Sequence, residues 1–107
     1  MVIWRDFTYI DDILQGIYSS MMNQEGFKIY NLGNSKTVNI SHLLGLIEQG
    51  LGKKAEVIKK EMQPGDVKIT YADISKPKRE IGYEPKTSIE EGIKRYIDWY
   101  QEIKNKE

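Results

Sequence analysis

The chain has 107 residues, 16 Lys and Arg against 16 Asp and Glu, one His and no Cys. This length suits a single small domain, residues 1–107, and leaves no room for a nucleotide-binding sheet plus a substrate lobe. Balanced charge argues against a nucleic-acid-binding protein, the missing cysteine excludes disulfides and thiolate metal sites, and a single histidine is too few for an imidazole metal site.

Ile10, Ile13, Leu14, Ile17, Tyr18 and Met21 recur at helical spacing, with Asp11 and Asp12 where carboxylates favour a helix amino terminus. This predicts a first helix over 11–22, ended by Asn23, Gln24, Glu25 and Gly26. Residues 28–32 read as a short strand stopped by the turn pair Gly33-Asn34. Asn39 is a good N-cap for a second helix carrying Ile40, Leu43, Leu44, Ile47 and Leu51 on one face, with Gly50 and Gly52 closing it. Residues 55–60 alternate weakly and read as an edge strand with exposed lysines. Pro64-Gly65-Asp66 is loop chemistry, and residues 68–71 are a brief extended piece. Asp73 or Ser75 caps a short helix that tolerates Pro77 in its first turn and ends at Gly82. Ser88-Ile89-Glu90-Glu91 is a capping box for a last helix with Ile89, Ile93, Tyr96, Ile97, Tyr100 and Ile103 inward and Glu90→Lys94 and Glu91→Arg95 pairs outward. No apolar run approaches a membrane span and the start lacks signal-peptide organisation, so a soluble, cytoplasmic chain is expected.

Gly50-Leu51-Gly52-Lys53-Lys54-Ala55 fits the dinucleotide fingerprint G-x-G-x-x-A. That fingerprint works when a strand feeds the glycines and a helix amino terminus follows to meet the pyrophosphate. Here a helix precedes and a strand is expected to follow, so the run reads as a helix C-cap. His42, beside Ser41 in the first turn of the second helix, reads as a surface or capping residue.

Five stretches carry a family resemblance by order and spacing. They are Arg5-Asp6-Phe7-Thr8-Tyr9-Ile10-Asp11-Asp12, Met62-Gln63-Pro64-Gly65-Asp66-Val67, Thr70-Tyr71-Ala72-Asp73-Ile74-Ser75-Lys76, Glu80-Ile81-Gly82-Tyr83-Glu84-Pro85-Lys86-Thr87 and Trp99-Tyr100. Together they resemble the carboxy-terminal third of a nucleotide-sugar epimerase of the extended short-chain dehydrogenase/reductase family, in the UDP-glucuronate or UDP-glucose 4-epimerase branch. The resemblance implies an α/β fold, a small helix-rich domain with a short mixed sheet, like the carboxy-terminal lobe of those enzymes without their Rossmann domain. In the intact family enzyme NAD oxidises C4 of the sugar and returns hydride to the other face. The segments that bind NAD and move the proton do not appear here, so no catalytic residue and no cofactor are assigned to this chain. Tyr100-Gln101-Glu102-Ile103-Lys104 copies the family's Y-x-x-x-K pair, but far downstream of the family position, and is set aside as chance.

Three substrate-binding residues are implied. The family's arginine at Arg5 reaches the UDP-sugar diphosphate, where a guanidinium gives bidentate, charge-assisted bonds; the alternative is a surface ion pair with Asp6 or Asp12. An acidic residue at the position of Asp66 binds the ribose hydroxyls, with Gly65 letting the backbone approach; the alternative is an ordinary Pro-Gly-Asp turn. Gln63 stands where many relatives carry a second phosphate-binding arginine, so it donates without charge and the grip is weaker.

Three functional readings follow. The chain is the UDP-sugar-binding part of an epimerase, not catalytic alone; or half of an enzyme that a Rossmann-bearing chain completes; or an interaction module that keeps the fold. A weak homo-oligomer is expected through Trp4, Phe7 and Trp99, unless all three fold into the core.

Overall fold

The computed structural model describes residues 3–23, 25–61, 63 and 65–106. Met62 and Pro64 of the family-like loop, and Gln24 of the turn after the first helix, lie outside the described residues. In chain order the elements are β1 (Trp4–Arg5), α1 (Ile10–Met22), β2 (Val38–Asn39), α2 (Ile40–Leu51), α3 (Ser75–Ile81) and α4 (Ile89–Asn105).

The expected small sheet is a two-stranded antiparallel pair built on β1, with one isolated parallel bridge beside it in place of a mixed sheet. On one side β1 runs antiparallel to β2, with Trp4 opposite Asn39 and Arg5 opposite Val38. On the other, the Trp4 amide donates to the Lys68 carbonyl at 2.7 Å and the Thr70 amide donates to the Trp4 carbonyl at 3.2 Å, a parallel bridge to Ile69. Of the extended piece expected over 68–71, a single bridging residue, Ile69, forms.

The two longer strands expected from the sequence are not formed. Residues 28–32 have no ladder partner among the described residues. Their polar groups are taken up elsewhere: Lys28 and Tyr30 both reach Glu80, at 3.1 and 3.2 Å, and the Lys76 ammonium meets the Ile29 carbonyl at 3.1 Å. Residues 55–60 fail for a different reason. Their large apolar residues, Val57 and Ile58, are adjacent, so no face of a strand could be buried, and both are exposed.

The helices follow their caps. Asn39 Oδ1 accepts the Ser41 amide at 2.8 Å at the start of α2, and Ser88 Oγ accepts the Glu91 amide at 3.2 Å at the start of α4. At α3 the N-cap is Ile74, without a side-chain cap bond, so neither Asp73 nor Ser75 caps it; Asp73 Oδ1 instead accepts both the amide and the hydroxyl of Ser75, at 3.0 and 2.6 Å. Those bonds hold the Asp73 carboxyl below the usual range, the hydroxyl bond contributing most.

α2 packs on α4 and α1 packs against α3. The shape is open, 49 × 41 × 20 Å with a radius of gyration of 16.7 Å, against ~13 Å for an ordinary compact domain of this length. Among the described residues Ile81, Tyr83 and Ile97 form the buried apolar core, with Pro77 beside them.

The open shape corrects the expected α4 stripe. Ile97 is buried and Ile89 and Ile93 are half-buried, but Tyr96, Tyr100 and Ile103 are exposed. The 12-residue α2 is too short to cover the 17-residue α4. The Glu91–Arg95 pair forms at 2.9 Å, whereas Glu90 turns to His42 Nε2 at 3.1 Å and Lys94 pairs with Asp98 at 3.5 Å. His42 thus ties α2 to α4 at the surface. In α1 the inward positions are Asp12 and Gly16, while Ile10, Leu14, Ile17, Tyr18 and Met21 are each 45–63% exposed.

Candidate functional site

Arg5 lies on β1 with a half-buried side chain. Its Nη1 donates to the Trp4 carbonyl at 2.9 Å, the same oxygen that accepts the Thr70 amide. The guanidinium therefore sits at the seam between β1 and the 68–70 segment. Neither carboxylate considered as its partner takes it. Asp6 Oδ1 accepts the Asn34 amide at 2.9 Å, and its Oδ2 accepts the amides of Ser35 and Ala72 at 2.9 and 3.0 Å. Asp12 accepts the amides of Lys86 and Thr87, both at 3.0 Å. Arg79 and Arg95 have carboxylate partners, Glu80 at 3.8 Å and Glu91 at 2.9 Å. Among the described residues Arg5 makes no ion pair, so its charge faces no internal anion.

Gln63 and Asp66 close a turn on each other. The Asp66 amide donates to the Gln63 carbonyl and the Gln63 amide donates to Asp66 Oδ2, each at 3.0 Å. Gly65 between them has φ +91°, a conformation that L side chains rarely adopt. Both Gln63 and Asp66 are exposed. Two residues after Asp66, Lys68 accepts the Trp4 amide, so the chain leaving this turn runs directly into the strand beside Arg5. The chain leaving this turn thus reaches the bridge at Trp4, the residue before Arg5, while no hydrogen bond or ion pair joins Arg5 to Gln63 or Asp66 among the described residues.

A polar depression of about 710 Å³ is lined by Asp6, Thr8, Asn31, Thr70, Tyr71 and Asp73 among others. A separate, mostly apolar groove of about 360 Å³ lies between the 7–10 segment and the helices α2 and α4, with Phe7, Leu43, Ile93 and Tyr96 on its walls. Arg5 and the turn residues line neither.

Sequence reasoning missed the buried polar groups that hold the fold together. Asp12, read as a helix-start carboxylate, is buried and clamps the 86–87 backbone. Asp6 joins the segments around residues 6, 34 and 72. Tyr83 is wholly buried and donates its hydroxyl to the Gly33 carbonyl at 2.6 Å. Burial above all, then the charges of Asp12 and Asp6, push the Tyr83 phenol above its ordinary pKa. The signal was there in part: Asp6, Asp11 and Asp12 fall within the eight residues 5–12, whose single cation is Arg5, so some of them had to be satisfied by backbone amides.

The residues of the G-x-G-x-x-A match do not fit a dinucleotide. α2 ends at Leu51, Gly52 is its left-handed C-cap, and residues 53–61 are irregular, so no helix amino terminus follows the glycines. Tyr100 and Lys104 lie exposed toward the end of α4, away from the sheet edge in the chain and with no partner to each other among the described residues.

Residues 2–96 match the family model described as GDP-mannose 4,6 dehydratase. An uncharacterized protein of Methanocaldococcus jannaschii is 48% identical over 101 residues, covering 94% of this chain and 31% of that protein. A UDP-glucuronate 4-epimerase of Thermodesulfobacterium geofontis is 44% identical over 99 residues, covering 92% of this chain and 30% of the enzyme. Among solved structures, the UDP-glucuronic acid 4-epimerase of Bacillus cereus in complex with UDP-glucuronic acid and NAD superimposes with a TM-score of 0.82 at 29% identity, covering 95% of this chain and 33% of that one. The UDP-glucose 4-epimerase of Thermotoga maritima with UDP-glucose gives 0.83 at 28% identity, covering 94% and 32%. The chain therefore spans about a third of the length of the relatives it matches. It belongs to the GDP-mannose 4,6 dehydratase family, and within it corresponds to the carboxy-terminal part of the extended short-chain dehydrogenase/reductase epimerases.

Proposed function

We propose that this chain forms the part of a UDP-sugar 4-epimerase that holds the diphosphate and ribose of the substrate. The observation that carries the reading is Arg5, a half-buried residue whose guanidinium makes no ion pair among the described residues, on the strand that adjoins the exit of the 63–66 turn. A diphosphate supplies the charge that Arg5 lacks, through bidentate charge-assisted bonds. Asp66 offers carboxylate oxygens to a vicinal diol, and Gln63 adds a neutral donor. The relatives of known activity, a UDP-glucuronate 4-epimerase and solved UDP-sugar 4-epimerases, support the choice of UDP over other nucleotides. The chain by itself carries out no epimerisation: its only fingerprint-like glycines close a helix, and its Tyr100 and Lys104 are solvent-exposed.

Amide shift mapping with UDP tests this. Arg5, Gln63, Gly65 and Asp66 should move first, and the binding should weaken steeply by ~1 M salt, where the Debye length is only about 3 Å. Shifts confined to residues 53–60, or turnover of UDP-glucuronate with added NAD by the chain alone, overturn the reading.

A second reading, that a Rossmann-bearing chain completes the enzyme, is favoured by α1. Six apolar side chains of this helix are 45–63% exposed, and the chain spans about a third of its relatives' length. Co-expression with a Rossmann-bearing epimerase segment should shield α1 and restore turnover; two chains that elute separately without activity exclude it.

A further inference from the structure

We infer that Asp6 is a positioning residue for this site, acting through Arg5 and the 63–66 turn without touching the ligand. The inference rests on the reading of Arg5, Gln63 and Asp66 as the UDP-binding residues.

The geometry is that of a three-way clamp. The two carboxylate oxygens of Asp6 take N–H groups from Asn34, Ser35 and Ala72, at 2.9, 2.9 and 3.0 Å. One peptide bond before Asp6 is Arg5. Two residues before Ala72 is Thr70, whose amide shares the Trp4 carbonyl with the Arg5 guanidinium. The Ala72 bond therefore fixes the strand that leaves the 63–66 turn at the position where it meets Arg5. Remove it, and the two halves of the proposed site are joined only through the short bridge at Trp4.

The clamp also holds backbone out of its preferred conformation. Ser35 has φ +59°, the sole positive φ of a residue other than glycine among the described residues, and its amide is one of those Asp6 accepts. Such a conformation persists where surrounding contacts over-determine it. The packing is close as well: a Cβ added at Gly33 would lie 2.9 Å from Asp6 Oδ2 and 2.6 Å from the Ala72 Cβ.

Only a carboxylate suits these donors. Asn at this position has a single acceptor oxygen, and in either orientation its amide group faces at least one backbone N–H donor. Glu keeps the charge but adds a methylene where Gly33 and Ala72 leave no space. Either change should shift the 70–73 segment relative to β1 while leaving Arg5, Gln63 and Asp66 in place in the sequence.

The test is a double-mutant cycle on the full chain with UDP, with Asp12→Asn as a control that disturbs a backbone clamp elsewhere. Asp6→Asn should weaken UDP about tenfold, the equivalent of one lost charge-assisted bond. In the Arg5→Ala background the same change should cost clearly less, because Asp6 then has no guanidinium to position and acts through the turn alone. In ligand-free spectra Asp6→Asn should displace the Arg5 side-chain and 63–66 amide signals, and Asp12→Asn should not. Equal losses with and without Arg5, or unmoved Arg5 and 63–66 signals, overturn the inference. Where wild type shows no UDP-induced shift, the ligand-binding reading falls by itself, and the role of Asp6 in positioning Arg5 and the turn is decided by the ligand-free spectra. Should Asp6→Asn fail to fold, Asp6→Glu carries the same comparisons.

Discussion

Tyr83 and Gly33, fifty residues apart, are joined by a 2.6 Å bond from the phenolic hydroxyl to the glycine carbonyl. Asp6 takes the next two amides of the same loop, so residues 33–35 are gripped from both sides. Tyr83→Phe keeps the ring and leaves the buried Gly33 carbonyl without this donor, at a cost of about 1–2 kcal/mol. The pH dependence follows from burial raising the Tyr83 pKa. The unfolded chain loses this proton near pH 10, before the folded chain does, so the stabilisation is complete below about pH 10 and falls as pH rises through the higher folded value. Urea titrations from about pH 8 to 11 should show a steeper alkaline loss in wild type than in Tyr83→Phe.

Asp11 and Asp12 are neighbours with opposite prospects. Asp12 is 7% exposed and accepts two amides, from Lys86 and Thr87. Asp12→Ala leaves both without an acceptor and should cost about 3 kcal/mol, read from the urea midpoint. Asp11 is exposed and meets Arg95 at 3.7 Å, a pair also served by Glu91. Asp11→Asn should change stability by less than about 0.5 kcal/mol. A large effect at Asp11 would contradict this division of labour.

What could be read from the sequence was local. Asn39, Ser88, Gly52 and Gly82 announced helix ends because capping is decided within a few residues, and the structure places caps at each. Strand pairing is decided across the chain, and there the reading failed. Residues 28–32 have strand composition but no partner, whereas Trp4–Arg5 and Val38–Asn39 pair over only two residues each, too short to leave a periodicity. Arg5 and the 63–66 turn could be named from motif resemblance, but the approach of the chain after the turn to β1 depends on the Trp4–Ile69 bridge, which no local pattern announces. Asp6 was hidden for the same reason, since its partners lie 28, 29 and 66 residues away.

Gly33 marks a close approach that a methyl group would block. Its added Cβ would sit 2.6 Å from the Ala72 Cβ, well inside van der Waals contact. Gly33→Ala should destabilise by about 2 kcal/mol, since loop and strand must separate. Ala72→Gly in the same chain removes the clashing carbon and should recover a good part of that loss. A double variant no better than Gly33→Ala would mean that the clash with Ala72 is not the cause.

The expected sites of self-association need revision. Trp4 and Trp99 are exposed, at 39% and 55%, but Phe7 is half-buried in the wall of the apolar groove. α1 contributes more than any of them, with Ile10, Leu14, Ile17, Tyr18 and Met21 outward along 13 residues. A helix of that length is about 20 Å long, so two copies paired through it alone would bury less than the ~1,200 Å² typical of stable complexes. Association should accordingly be weak and concentration-dependent, driven by a contiguous apolar patch. Leu14→Lys with Ile17→Lys should return the chain to monomer and leave folding stability within about 1 kcal/mol, because both side chains are already half in water. Sedimentation across a hundredfold range of concentration, with urea melts of the same variants, checks both halves. A wild-type chain that stays monomeric at millimolar concentration, or a double variant that associates as wild type does, would place the driving surface elsewhere than α1.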